Sequence, residues 1–158
     1  PCGYYGDEHK ACRCTPTKVA NYLQRLSGPL LDRIDLQVAE QRPSPEVLLM
    51  PKQGLDTQKA KRWVAQAQAR QLARSGLLNG DLPWAELEAC TKLKSVDDKL
   101  LKNAISRLHL SPRGIHKVLR VARTIADLDH THTIHKDHLL EALSYRRLDV
   151  LSMEVEQA

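Results

Sequence analysis

Ser111-Pro112-Arg113-Gly114-Ile115-His116-Lys117-Val118-Leu119-Arg120-Val121-Ala122-Arg123-Thr124-Ile125-Ala126 is the stretch on which the fold turns. Serine followed by proline begins a helix well. The hydroxyl accepts from an orphan amide of the first turn, and proline there needs no donor of its own. Beyond that start, Ile115, Val118, Leu119, Ala122, Ile125 and Ala126 recur at helical spacing and draw one apolar stripe. Such a stripe has to be covered by other elements, and the flanking sequence supplies helices to do it. Val96, Leu100, Leu101, Ala104, Ile105 and Leu108 form a second stripe upstream, and Leu139, Leu140 and Leu143 follow a helix start near His135. Further upstream a helix is predicted from about Gln58 to Arg74, stopped by Ser75-Gly76, and a short one from Trp84 to Cys90 behind Pro83.

Composition agrees with helices packed on helices. Of 158 residues, 42% are hydrophobic but only 4% aromatic, with no Phe. The core is therefore built from Leu, Val, Ile and Ala, which argues against an all-β architecture rich in aromatic strands. No apolar run approaches the roughly 20 residues that cross a bilayer, and no charged start followed by an apolar block marks a signal peptide. A cytoplasmic protein without membrane contact is expected. The formal net charge of +5 hints at polyanionic partners. The chain opens on Pro1-Cys2-Gly3, in what reads as mid-loop, so a piece of a longer polypeptide is expected.

The first third reads differently. Residues 1 to 14 hold Gly3, Gly6 and three of the four cysteines without periodicity, which predicts a loop or small knuckle. Thr15-Pro16 starts a helix bearing Val19, Tyr22, Leu23 and Leu26, and Ser27-Gly28-Pro29 stops it. The alternation Ile34, Leu36, Val38 then predicts a short strand. One strand makes no sheet, so either its partners lie outside this sequence or the segment is not a strand. Ala39 to Thr57, with Pro43, Pro45, Pro51 and Gly54, is the linker and the place for a domain boundary.

Several residues are chemical candidates. Cys2, Cys12 and Cys14 offer three soft ligands to zinc, with His9 or an upstream residue as the fourth; the alternative is a set of reduced thiols in a chain end. Cys90 sits inside a helix pattern as a small buried hydrophobe. Arg33, in Leu30-Leu31-Asp32-Arg33-Ile34-Asp35-Leu36, presents a fork suited to a phosphate, or else pairs with Asp32 or Asp35. Arg113 opens a helix, where terminal amides favour anions. Without further context, Arg113, Arg120 and Arg123 read as solvated helix arginines. Lys59, Lys61, Arg62, Arg70 and Arg74 accumulate with no acid between them, opposite Ala60, Val64 and Ala67. That face follows a nucleic-acid backbone or is simply solvated. His130, His132, His135 and His138 read as a polar connection rather than a metal site. There is no phosphate-binding glycine loop and no Gly-x-Ser-x-Gly elbow, so the chain alone is not expected to turn over a nucleotide.

Longer strings carry more. Pro1-Cys2-Gly3-Tyr4-Tyr5-Gly6-Asp7, Cys12-Arg13-Cys14-Thr15-Pro16, Leu26-Ser27-Gly28-Pro29-Leu30-Leu31-Asp32-Arg33-Ile34-Asp35-Leu36, Arg107-Leu108-His109-Leu110-Ser111-Pro112-Arg113, Val121-Ala122-Arg123-Thr124-Ile125-Ala126-Asp127-Leu128 and Tyr145-Arg146-Arg147-Leu148 occur in order. Together they resemble the magnesium-chelatase-like AAA+ ATPases of the ComM (YifB) family, over residues 1 to about 149.

The resemblance implies a mainly α chain: a helical-bundle lid, the small C-terminal domain of AAA+ proteins, preceded by a remnant of their α/β core. It implies a cysteine loop, helix and finger strand over 1–42, a linker over 43–57, a connecting basic helix over 58–82, the lid over 83–149 and a tail over 150–158. Family members are similar to hexameric ring ATPases, among them a DNA helicase that promotes branch migration during natural transformation. On that basis Arg33 is an arginine finger acting in trans on a neighbouring copy, and Arg113 is the sensor-two arginine that reads the ATP phosphates. ATP with Mg2+ belongs to the complete protein, Zn2+ to the cysteine cluster, and DNA to Lys59, Arg62, Arg70 and Arg74. The family pattern has a further cysteine just before the point where this sequence starts, upstream of Pro1. The first 40 or so residues would normally lie on a sheet, leaving Leu30, Ile34 and Leu36 short of partners here. A free-standing basic helical DNA-binding module is the alternative.

Overall fold

The computed structural model describes residues 1–7, 9–25, 28–38, 40, 43–49, 54–93 and 95–146. They form eight helices: α1 (Pro16–Leu23), α2 (Gly28–Leu31), α3 (Pro45–Leu49), α4 (Thr57–Ser75), α5 (Trp84–Cys90), α6 (Ser95–Arg107), α7 (Pro112–Leu128) and α8 (Lys136–Ser144). The molecule is mainly α, consistent with a helical lid. It divides into two compact units, one from the described residues before 54 and one from 54–146. The predicted tail and the end of the lid, residues 147–158, lie outside the described residues, as do Leu26 and Ser27.

In the second unit α7 is the central element, packing against α4, α5 and α8, while α6 packs on α8. The Ser111 hydroxyl accepts from the Gly114 amide at 3.0 Å, as the Ser-Pro start predicts. Val118, Leu119, Ala122, Ile125 and Ala126 of the stripe are all buried. They meet Leu101 of α6, Leu110, Ile134, and Leu139 and Ala142 of α8 in one core, flanked by half-buried Leu100, Ile105, Leu108 and Leu143. Asp56 caps α4 by accepting from the Gln58 amide, and Gly76 ends it at φ 71°, a left-handed conformation that suits glycine.

Two arginines of α7, Arg120 and Arg123, depart from the solvated reading, whereas Arg113 is exposed. Arg123 is fully buried, and Arg120, half-buried, donates to the Leu82 carbonyl at 3.0 Å. Arg123 donates to Asp127 Oδ1 at 3.0 Å and to the carbonyls of Thr131 and His132 at 2.6 and 2.8 Å. Asp127, itself 1% exposed, also accepts from Arg74 at 2.6 and 3.0 Å and from Asn79 at 2.9 Å. The reason is positional: α4 lies across the end of α7, so a pair that would face water on a lone helix is enclosed. Burial alone would raise the Asp127 pKa, but hydrogen bonds from Arg74 and Asn79 and the charge of Arg123 outweigh it and hold the carboxyl below its ordinary range.

The first unit holds the other departure. Residues 34–38 form no strand; among them Gln37 alone makes a bridge pairing. The expected inward side is outward: Leu30, Ile34 and Leu36 are 42%, 39% and 52% exposed, while Gln37 is buried. A single strand has no ladder to satisfy its amides and no sheet to cover its apolar face. The segment read wholly as linker contains one helical turn, α3, started by Ser44 accepting from the Val47 amide.

Removing the Asp127 carboxylate leaves a buried guanidinium without its partner, so Asp127→Ala is expected to cost about 3–5 kcal/mol in urea unfolding. Because folding lowers the Asp127 pKa, its contribution is complete above the ordinary value of 3.8 and is lost as pH falls below it toward the folded value. The stability difference between about pH 6 and about pH 3 should therefore shrink in Asp127→Asn.

Candidate functional site

Three places bring chemistry-bearing side chains to defined positions. At the amino end, Gly3 and Gly6 take positive φ (83° and 78°) and fold the chain so that Asp7 donates its amide to the Tyr4 carbonyl. The Asp7 carboxylate then accepts from the amides of His9 and Lys10. This doubled-back loop returns Cys12 and Cys14 to Cys2. Their three sulfurs lie within 4.8 Å of one another, with Cys2 Sγ and Cys12 Sγ 3.4 Å apart. Three soft donors at that spacing suit zinc, which takes four ligands in a closed structural site. His9, proposed as the fourth, is not part of the group; its backbone serves the Asp7 turn instead.

The cluster sets its own acidity. Hydrogen bonding at the Tyr4 backbone, helped by Cys12, lowers the Cys2 thiol to about 7. For Cys12 the Cys14 amide favours the thiolate. The hydrogen bond with Cys2, desolvation and the charge of Cys14 together push it up instead.

Arg33 stands in the turn that leaves α2. Its amide donates to the Leu30 carbonyl and the Ile34 amide to the Leu31 carbonyl, both at 3.0 Å. Leu31 is buried behind it and the Arg33 residue is exposed. The anchor is thus a turn rather than the strand edge that the sequence predicts.

Arg113 belongs to the other unit, in the first turn of α7, and is exposed there. Immediately beneath it is Gly114, buried, where an added Cβ would stand 3.5 Å from Ser111 Oγ and 3.8 Å from Arg146 Nη2. Arg146 is 2% exposed, so a second guanidinium is held against the amino-terminal turn of the helix. Trp84 of α5 stacks on His116 at 3.7 Å, which clamps α5 to this end of α7. Sequence reasoning assigned no role to Arg146, Trp84 or His116; the only signal was the string Tyr145-Arg146-Arg147.

The basic face of α4 is split. Arg74 is bonded to Asp127 and Asn79, and Arg70 to the Asp127 carbonyl and to His130. The Asp127 hydrogen bonds raise the Arg74 pKa above its usual value. Both side chains are therefore bonded to the end of α7, Arg74 at its carboxylate and Arg70 at a backbone carbonyl. Lys59, Lys61 and Arg62 are exposed, with Lys59 4.9 Å from the centre of the Trp63 ring. The histidine turn is structural: His138 Nδ1 accepts from the His135 amide at 3.0 Å and its Nε2 lies 3.3 Å from Asp129.

Comparison with known proteins supplies the class. Residues 54–146 match the family described as magnesium chelatase, subunit ChlI C-terminal, and residues 1–48 match magnesium chelatase, subunit ChlI. The chain belongs to the magnesium-chelatase ChlI family, in the branch of the ComM and YifB proteins. It is 39% identical over 160 residues to the uncharacterized protein YifB of Escherichia coli, covering 99% of this chain and 31% of that protein. It is 39% identical over 157 residues to the competence protein ComM of Haemophilus influenzae, covering 94% and 29%. An uncharacterized Mycobacterium tuberculosis protein is 31% identical over 151 residues, with 93% and 30% covered. The chain thus spans about a third of the length of these relatives. Among the described residues no helix is long and apolar enough to cross a membrane.

The Cys2 thiolate fraction rises with pH through about 7, so in metal-free protein iodoacetamide should label Cys2 first, with a half-maximal rate near that pH. Peptide mapping after brief alkylation checks the order.

Proposed function

We propose that this chain is the lid and arginine-finger segment of a hexameric AAA+ ATPase that remodels DNA, and that it is not catalytic alone. The observation that carries the reading is Arg113, exposed in the first turn of α7 within the segment that matches the family. There the orphan amides and the positive end of the helix dipole already favour a phosphate. In the complete protein Arg113 would bind the phosphates of ATP held with Mg2+ by the nucleotide-binding core, and pass their presence to α7 and the lid core.

Arg33 is the finger. It would reach the terminal phosphate bound by a neighbouring copy, where a guanidinium stabilises the charge that builds on the phosphoryl oxygens as the bond to the leaving diphosphate breaks. Cys2, Cys12 and Cys14 would hold a structural Zn2+, with the fourth ligand from outside the described cluster. The likeness to a competence protein supports DNA as the substrate and a cytoplasmic setting, in the manner of a branch-migrating helicase. The free-standing DNA-binding helix gains no support, since Arg70 and Arg74 are engaged by α7.

In the complete polypeptide Arg33→Ala is expected to lower ATP turnover by about 10³-fold or more with little change in nucleotide affinity, because the finger acts on the transition state. Arg113→Ala should weaken nucleotide binding as well. Steady-state ATPase assays with equilibrium nucleotide titration separate the two; full activity in Arg33→Ala would remove the finger assignment.

A further inference from the structure

Along α6, with the first residue of α8 at its edge, lies an open cavity of about 440 Å³ lined by Lys99, Leu100, Asn103, Ala104, Arg107 and Lys136. Lys99, Asn103 and Arg107 follow one another at i, i+4 and i+8, so they share one face of α6 and span about 12 Å along it. Leu100 and Ala104 form the apolar wall beside them, and Lys136, the first residue of α8, closes the row from the opposite bank.

The charge here is unbalanced. Lys99, Arg107 and Lys136 are exposed, and none forms an ion pair with a described residue. None of the neighbouring acids lines the cavity: Asp98 binds Lys102 at 2.7 Å, Asp97 is buried, and Asp137 is exposed beside Lys136 in the first turn of α8. Lys136 moreover sits at the positive end of the α8 dipole, where a cation is unfavourable and an acid is the usual choice. Three cations therefore line the cavity with no acid among the lining residues, an arrangement that favours an anion.

We infer that this cavity is a nucleic-acid contact, in which Lys99, Arg107 and Lys136 hold the phosphodiester backbone of a DNA strand. The layout favours a strand over a single phosphate: the cations are strung along α6 instead of converging on one point, which matches a charge repeated along a polymer. Leu100 and Ala104 offer an apolar surface to sugar and base, and the Asn103 amide offers a donor and an acceptor at the same level. This places the DNA contact on α6 and α8 rather than on α4, and it rests on the DNA part of the proposed function but not on Arg33 or Arg113.

The test uses fluorescence anisotropy of a labelled single-stranded oligonucleotide with the 158-residue chain. Lys99→Gln/Arg107→Gln/Lys136→Gln should weaken binding roughly tenfold at low salt and reduce the slope of log affinity against log salt by about 2, three contacts at about 0.7 each. Lys59→Gln/Lys61→Gln/Arg62→Gln removes the same charge from α4 and should change little. Circular dichroism should show both variants folded, since all six side chains are exposed. No retention of DNA by the parent chain, equal loss in the two variants, or equal displacement by poly-glutamate and by unlabelled DNA would each overturn the inference. None of those outcomes alters the Arg33-dependent ATPase result, and loss of that result would leave this binding unchanged.

Discussion

Asp127 accepts hydrogen bonds from Arg74, Asn79 and Arg123, and through them one carboxylate fixes α4 against α7. Its surroundings carry more positive than negative charge, and the surplus on Arg123 is absorbed by the Thr131 and His132 carbonyls just past the end of α7. Asn79 is held in turn by Gln71, whose side chain accepts its amide, and by Thr124. A buried group of this kind adds little net stability relative to a well-packed apolar one, yet it tolerates few alternative arrangements, because any shift strands a charge away from water. It therefore sets where α4 leaves the bundle, while the apolar stripe of α7 supplies the driving force for burial.

That division explains what the sequence disclosed. The stripe from Ile115 to Ala126 and its Ser-Pro start are local signals, and α7 is found over Pro112–Leu128 with the stripe in the core. The role of Arg123 is not local. An arginine four residues before an aspartate normally describes a solvated pair; only a helix 50 residues away, laid across both, turns it into a buried one. The same holds for Arg70 and Arg74, whose lack of acidic neighbours in sequence suggested an external polyanion: the carboxylate that Arg74 pairs with lies on α7, and Arg70 donates to the backbone carbonyl of the same residue, Asp127.

The first unit shows the opposite case, a local signal without its tertiary support. Ile34, Leu36 and Val38 alternate as a strand should, and all three are exposed because no described strand lies beside them. The thiols were legible from spacing, and the loop does bring Cys2, Cys12 and Cys14 together. His9 was not separable from them in sequence, because its exclusion depends on the Asp7 turn. Arg113 and Arg33 also differ in how they are held. Arg113 rides on a helix whose back is the core of the lid, so its position follows from packing already present. Arg33 hangs on a turn whose apolar neighbours Leu30 and Ile34 are exposed, and in the proposed ring its aim depends on what covers them.

The proposed trans geometry is tested most directly by complementation in the complete polypeptide. One variant lacks the Arg33 side chain but keeps its nucleotide-binding loop; another keeps Arg33 but has that loop disabled. Each should be nearly inactive alone, and mixing should restore ATP turnover, because some interfaces then pair an intact pocket with an intact finger. Mixtures that stay as inactive as their components, with hexamers shown to exchange subunits, would contradict the assignment.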